Sequence, residues 1–329
     1  MNQFQYVRPA EVSGAKKAIV KDANSWFLAG GTNLIDLMKM GIVAPERLVD
    51  INLLPLKKIE KMPAGIRIGA LASNTEVSES SLIKTSFPLL ALAINAGASP
   101  QLRNMATVGG NLMQRTRCPY FFDTTMPCNK RVPGSGCGAL KGYNRMHALF
   151  GASDQCIAVN PSDMNVALRA LDASVVVTGR DGERSIKFAD FHRLPGDQPQ
   201  LDNTLKKGEL ITAVDLPDSP YQKNVHYLKI RDRTSYAFAL VSVAAGLDIE
   251  NNKIKDARLA MGGVAHKPWR LTETEAFLKG KPIQSEVFQQ AAQIAMRGAK
   301  AYEHNRFKLT MAPNAIVQAL KTASGLKTT

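Results

Sequence analysis

The sequence predicts an α+β protein, with an N-terminal region built from α/β units and a separate C-terminal α+β domain. Three observations predict it. The apolar run Trp26-Phe27-Leu28-Ala29 enters a glycine turn, then an apolar helix over residues 34–40 and a strand over 47–50, which is the strand–turn–helix–strand order of α/β architecture. A turn-rich break, Pro217-Asp218-Ser219-Pro220, falls about two-thirds of the way along the chain. After it come strands and then helices, the segregated order of an α+β domain.

In chain order, residues 1–6 read as a short strand and 13–21 as a helix. The strands over 26–29 and 47–50 flank the helix over 34–40. Alternating Ile66-Arg67-Ile68 gives a strand over 66–70, and an apolar stretch opening on Pro88 gives a helix over 88–98. Residues 105–112 carry a second glycine turn, Thr107-Val108-Gly109-Gly110-Asn111. A short apolar run over 156–159 precedes a helix over 164–172, capped by Ser162 or Asp163. The β-branched run 174–178 is a strand that ends on the hairpin signal Gly179-Arg180-Asp181-Gly182. A strand over 212–216 leads to the break. Beyond it, 225–230, 237–248 and 257–261 read as strands, and 286–304 and 313–322 as helices.

The 329 residues are 45% apolar and 21% charged, ordinary for two or three globular domains. No apolar stretch approaches the roughly 20 residues that span a bilayer, so no membrane insertion is expected. Residues 1–21 lack a basic segment followed by an apolar one, which predicts no export signal and assembly in the cytoplasm. The net charge of +14 raises nucleic acid as a partner. Its distribution argues against that partner, because no run of five Lys/Arg occurs and the aromatics, at 6%, are not interleaved with basic residues. One excess is local. Residues 101–150 hold seven basic side chains (Arg103, Arg115, Arg117, Lys130, Arg131, Lys141, Arg145) against one acid, Asp123, which predicts an anionic neighbour there.

All four cysteines, Cys118, Cys128, Cys137 and Cys156, fall within 39 residues. Three readings compete. Two disulfides suit a small secreted domain rather than a large chain whose thiols stay reduced. Zinc usually takes closely spaced cysteine pairs, and here the gaps are nine, eight and eighteen residues. An iron–sulfur cluster takes four thiolates from separate loops. The flanks Arg117-Cys118-Pro119, Pro127-Cys128-Asn129 and Gly136-Cys137-Gly138 favour it, since proline and glycine hold irregular backbone, and the nearby cations would balance an anionic cluster.

The turn Gly30-Gly31-Thr32-Asn33 allows close approach of a ligand, and the helix start after it offers N–H groups to phosphate oxygens. It does not fit G-x-G-x-x-G, so nicotinamide binding of the Rossmann type is unsupported. Either turn alone could simply link two elements. Two turns of the Gly-Gly-x-Asn kind together point to one diphosphate held from two sides.

The segments Phe27-Leu28-Ala29-Gly30-Gly31-Thr32-Asn33-Leu34, Ala106-Thr107-Val108-Gly109-Gly110-Asn111-Leu112 and Asn160-Pro161-Ser162-Asp163-Met164 resemble the FAD-binding subunits of the xanthine dehydrogenase/molybdenum hydroxylase family. The likeness runs through Leu194-Pro195-Gly196, Tyr227-Leu228-Lys229 and Met261-Gly262-Gly263-Val264, nearly the whole chain. Most such subunits pass almost directly from the Gly-Gly-Asn turn to the Pro-Ser-Asp motif. Here residues 114–155 intervene and carry three of the cysteines, with Cys156 just beyond. This insertion, together with His266-Lys267-Pro268-Trp269-Arg270, resembles the FAD subunits of periplasmic aldehyde oxidoreductases, which hold an extra [4Fe–4S] cluster. The flavin subunits of 4-hydroxybenzoyl-CoA reductases are the alternative likeness.

The resemblance implies a two-part FAD-binding region, residues 1–55 and 56–219 with the insertion at 114–155, and a C-terminal α+β domain of the CO dehydrogenase flavoprotein type at 220–329. It implies that Phe27, Leu28, Ala29, Gly30, Gly31, Thr32, Asn33 and Leu34 wrap the FAD diphosphate and that Thr107, Gly110, Asn111 and Gln114 form a second wall. Ser162 and Asp163 would meet the ribityl or diphosphate region, and Ile211 and Lys229 the isoalloxazine. Cys118, Cys128, Cys137 and Cys156 would ligate the [4Fe–4S] cluster. The implied partners are a molybdenum-cofactor large subunit and a [2Fe–2S] small subunit, and any export would be as a folded passenger of a partner with a twin-arginine signal. No nucleophile–base pair is evident, and the histidines His147, His192, His226, His266 and His304 lack metal-ligand spacing. Substrate oxidation is therefore expected on a partner, with electrons passing through this chain to an external acceptor.

Overall fold

A computed structural model describes residues 1–326. The chain forms three sheets in succession. The first contains β1 (Gln5–Val7), β2 (Ser25–Leu28) and β3 (Arg47–Asp50), all parallel, in the order β1-β3-β2. The second contains β4 (Ile59–Met62), β5 (Gly65–Gly69), β6 (Ser174–Gly179), β7 (Gly182–Lys187) and β8 (Leu210–Pro217), antiparallel, in the order β4-β5-β8-β6-β7. The third is an antiparallel sheet of β9 (Asn224–Ile230), β10 (Val241–Glu250), β11 (Lys253–Gly262) and β12 (Trp269–Arg270), in the order β12-β11-β10-β9.

Strand alternation explains how the third sheet is buried on both faces. Val241, Val243, Ala245 and Leu247 of β10 point into a core shared with the helices Thr272–Leu278, Ser285–Ala295 and Lys308–Ser324. Ala244 of β10, Ala260 of β11 and Tyr227 of β9 point the other way, into the core of the second sheet. The helices Pro88–Ala96 and Asp163–Ala170 fill that space between the sheets. Met164, Val166, Ala167, Leu168 and Ala170 are all buried, so Asp163–Ala170 is covered nearly all round. Burial of its larger apolar side chains is worth about 1.5–3 kcal/mol each. This helix fixes the Pro-Ser-Asp motif at its start against both sheets.

Several expected spans change. The helix expected over 286–304 ends at Ala295, because the chain turns through Gly298 at φ +76°. The strand expected from 237 begins at Val241, after Tyr236 takes φ +54°. The last helix begins at Lys308 and carries Pro313 inside it rather than at its start. The edge strand β4 was not expected, and β7 was implied only by the hairpin signal at 179–182. Their charged Glu60, Lys61, Glu183 and Arg184 blunt the apolar signal, as edges commonly require. No helix among the described residues is long and apolar enough to cross a membrane.

The insertion contains only one short helix, Pro119–Phe122. Phe121 and Cys128 pack with Leu37 in a small apolar cluster, while Leu149 and Phe150 join the core of the third sheet. Arg131 closes the loop on itself, its Nη1 donating to the carbonyls of Tyr120 and Phe121 at 2.9 and 2.8 Å.

Candidate functional site

A cleft of about 550 Å³ opens where the turn after β2, the start of the Asp163–Ala170 helix and the end of β9 come together. Gly30 lies so close to the second glycine turn that a Cβ would sit 1.8 Å from the Met105 carbonyl oxygen. Gly31 takes φ +73°, so the turn needs glycine for two separate reasons. Among the described residues nothing accepts a hydrogen bond from the N–H groups of Gly31, Thr32, Asn33 or Leu34. Asn33 Oδ1 accepts from the Arg115 N–H at 3.1 Å, while its Nδ2 is buried without a partner. These orphaned donors are the kind of group that a diphosphate satisfies.

The second turn is built differently. Val108 donates to Ala72 O at 3.0 Å, Gly109 to Ala70 O at 2.8 Å and Gly110 to Thr107 Oγ1 at 3.1 Å. Its amides are therefore spent inside the protein. What this turn presents is Asn111, whose Oδ1 accepts from Ser162 Oγ at 2.7 Å and from Gln114 Nε2 at 2.5 Å.

Ser162, not Asp163, is the helix cap, accepting from the Asn165 N–H at 3.1 Å. Asp163 is freed for the cleft. Its Oδ2 accepts from Lys229 Nζ at 2.7 Å and its Oδ1 from Tyr227 OH at 2.8 Å. Lys229 also donates to Ala96 O at 3.1 Å, and its side chain is only 4% exposed, so it is not a surface lysine. Burial and the Asp163 charge raise the Tyr227 hydroxyl well above its ordinary pKa, so it stays a donor.

Thr32, Asn33, Gly110, Asn111, Gln114, Ser162, Asp163 and Lys229 thus share one cleft. Phe27 and Ala29 instead pack against the core beside the first sheet, and Ile211 is buried in the core of the second, opposite Val177. Leu28, Leu34 and Thr107 do not line the cleft. Sequence reasoning missed Tyr227, although it precedes Lys229 by two residues on a strand and must share its face. It also missed the role of Arg117. That guanidinium bonds Asp36 at 3.1 Å and lies 5.1 Å from the Phe238 ring centroid, with its Nε buried and unpartnered.

The four cysteines line one small cavity of about 10 Å³, room for about one water at most. Cys128 and Cys137 face each other across an isolated antiparallel bridge, and the Ala158 N–H points to Cys156 Sγ at 3.5 Å. Burial pushes the Cys118 thiol up to about 12 and Cys156 to about 11. Among the described residues no group of three or more His, Cys, Asp or Glu side chains is arranged around a single metal ion. A cubane takes one thiolate at each of four irons, so its ligands surround a cavity instead of converging on one point. Four thiols around one cavity match that donor set.

A further cavity of about 240 Å³ joins the two places. Cys118, His147 and Arg117 line it, as do Ser162, Asp163 and Ser242. Cys118 is the one cysteine that borders both this space and the small cysteine cavity.

The basic excess of residues 101–150 finds its anions in distant carboxylates. Asp202 takes Arg115 at 2.8 Å and the buried Lys130 at 2.5 Å, Asp36 takes Arg117, and Asp232 takes Arg145 at 2.8 Å. Burial alone would raise the Asp202 carboxyl, but Lys130, Arg115 and His266 outweigh it and hold it at about 2. The expectation that these cations mainly answer a bound anion is corrected to that extent. Lys130 alone of the paired cations also lines the cysteine cavity.

Comparison with known proteins agrees with this arrangement. Residues 2–219 match the FAD binding domain in molybdopterin dehydrogenase, and residues 226–323 match the CO dehydrogenase flavoprotein C-terminal domain. The chain belongs to the FAD-binding subunits of the molybdenum hydroxylase family, and it binds FAD. It is 46% identical to the aldehyde oxidoreductase FAD-binding subunit PaoB of Escherichia coli K12, over 98% of this chain and 99% of that one. It is 28% identical to the glyceraldehyde dehydrogenase medium chain of Sulfolobus acidocaldarius, over 88% and 86%. The fold matches carbon monoxide dehydrogenase from Hydrogenophaga pseudoflava with a TM-score of 0.77 at 24% identity, covering 98% of each chain.

Proposed function

We propose that this chain is the FAD and [4Fe–4S] electron-transfer subunit of a molybdenum-containing aldehyde oxidoreductase. It would receive electrons from a [2Fe–2S] subunit and pass them to an external acceptor, while a molybdenum-cofactor subunit oxidises the aldehyde. The observation that carries the reading is the pairing of a flavin cleft with four cysteines around a single neighbouring cavity. The 46% identity to an aldehyde oxidoreductase subunit supports the substrate class. The division into 1–55, 56–219 and 220–329 is part of the same proposal, as is assembly in the cytoplasm with any export as a partner's passenger.

When bound, FAD supplies the exchange between one-electron iron–sulfur donors and the acceptor. The residues of this chain bind and orient it. The free N–H groups of residues 31–34 and Asn33 Nδ2 would take the diphosphate, with Thr32 beside them. Asn111, tied to Ser162 and Gln114, would form the opposite wall. Lys229 would place a positive charge, steadied by Asp163, beside the isoalloxazine. Phe27, Leu28, Ala29, Leu34, Thr107 and Ile211 would hold these groups in place from the surrounding core. Cys118, Cys128, Cys137 and Cys156 would ligate the cluster, with Lys130 as its nearest counter-charge.

The test is anaerobic addition of an aldehyde, read at the flavin bands. Flavin in the complex with its partner subunits should bleach, while the isolated chain should stay oxidised. Bleaching of the isolated chain, or none in the intact complex, would overturn the assignment.

A further inference from the structure

His147 is buried in the insertion, and its Nε2 lies 3.1 Å from Cys118 Sγ. Three contacts fix its backbone. Its N–H donates to Asn144 O at 3.1 Å, and its carbonyl accepts from Asn305 Nδ2 at 3.1 Å and from Lys308 Nζ at 3.0 Å. Lys308 is itself fully buried and also donates to Gly263 O at 2.8 Å. The start of the last helix therefore grips the segment that carries His147. The ring has the Tyr120 ring on one side, with centroids 6.5 Å apart. Its Nδ1 is buried and has no hydrogen-bond partner.

These contacts settle which nitrogen can act. A cysteine sulfur bound to iron has no proton to donate. The 3.1 Å contact can then be a hydrogen bond only if Nε2 carries a proton. Among the described residues no other cysteine has a side-chain donor this close, and Cys156 has only the Ala158 N–H at 3.5 Å.

We propose that His147 is a positioning residue for the cluster, donating Nε2–H to Cys118 Sγ and raising the cluster's reduction potential. The proposal rests on the [4Fe–4S] reading above. A donor aimed at a ligating sulfur stabilises the reduced cluster, because reduction adds negative charge that spreads onto the sulfurs. The effect falls on the one ligand that faces the cavity shared with the flavin cleft.

The experiment uses the complete complex, purified anaerobically. Iron and acid-labile sulfide are measured first in the wild type, and their absence there would defeat the cluster reading before any variant is made. His147→Phe keeps an aromatic ring and removes the donor. His147→Gln restores an N–H near the Nε2 position. Potentials are read by redox titration of the reduced cluster's electron paramagnetic resonance signal. The potential should fall in His147→Phe and return towards the wild-type value in His147→Gln, with iron content unchanged. A wild-type potential in His147→Phe overturns the proposal. If His147→Phe assembles no cluster, the glutamine variant decides: a cluster with the wild-type potential supports the donor role, and a displaced potential or no cluster overturns it.

Discussion

Lys229 Nζ stands 2.7 Å from Asp163 Oδ2, with both side chains buried, at 4% and 8% exposure. This ion pair joins β9 of the third sheet to the helix that starts at the Pro-Ser-Asp motif. A buried pair of this kind contributes little by its presence, but removing one partner leaves an uncompensated charge. Lys229→Met should therefore destabilise the protein by about 3–5 kcal/mol. Lys229→Met with Asp163→Asn should recover much of that stability, yet still bind FAD poorly if, as proposed, Lys229 places its charge beside the isoalloxazine. Chemical denaturation and flavin content of the three proteins check this.

The two glycines of the first turn should respond differently to alanine. At Gly30 a Cβ meets the Met105 carbonyl at 1.8 Å, a backbone group that cannot turn aside. At Gly31 it meets the flexible end of Ile35 at 2.6 Å, and the main cost is the positive φ, about 1 kcal/mol. Gly30→Ala should force the two turns apart and lose most of its FAD, while Gly31→Ala should weaken binding only several-fold. Equal loss in both variants, measured by flavin titration of the apoprotein, would contradict the packing argument.

Much of this site was legible in the sequence. The first glycine turn, the Pro-Ser-Asp motif and the four cysteines each stand out by composition, and the structure gathers them in two adjacent places. Ile211 was singled out by the resemblance alone, since a buried isoleucine on a central strand looks the same whether or not a ligand lies near. The spent amides of Val108 and Gly109 were hidden because their acceptors, Ala72 and Ala70, are backbone carbonyls nearly forty residues away. The partners of the basic excess were hidden in the same way. Asp202 lies 72 residues beyond Lys130, and only folding brings them together. The shortened helix at Ala295 was in principle readable from Gly298.

Acid should destabilise the protein earlier than carboxylate protonation would. His147, His192 and His266 are buried and lowered to about 4 from 6.5, by desolvation first in each case. Below pH 6.5 the unfolded chain binds protons that the folded chain refuses, so stability falls from there until about pH 4. Each histidine accounts for roughly 3 kcal/mol if fully realised. Asp202, lowered to about 2 from 3.8, adds a further loss between those values. Denaturant midpoints should fall as the pH drops from 6.5 towards 4, and His192→Gln should flatten that slope by about a third.

Asp202 holds the insertion to the rest of the molecule through Arg115 and Lys130. Asp202→Asn leaves the buried Lys130 ammonium with the Pro199 carbonyl but no carboxylate. A loss of about 2–4 kcal/mol is expected, at the lower end because Asp202 itself is 23% exposed. Limited proteolysis should then cut first within residues 114–155. Cleavage elsewhere, with the insertion still protected, would show that Asp202 is not what secures it.

The central claim is that one chain holds both FAD and a four-iron cluster. Iron, acid-labile sulfide, zinc and flavin measured together in the anaerobically purified protein test it most directly. One FAD with about four irons and four sulfides per chain is the expected result. FAD accompanied by zinc, or by neither iron nor sulfide, would contradict it.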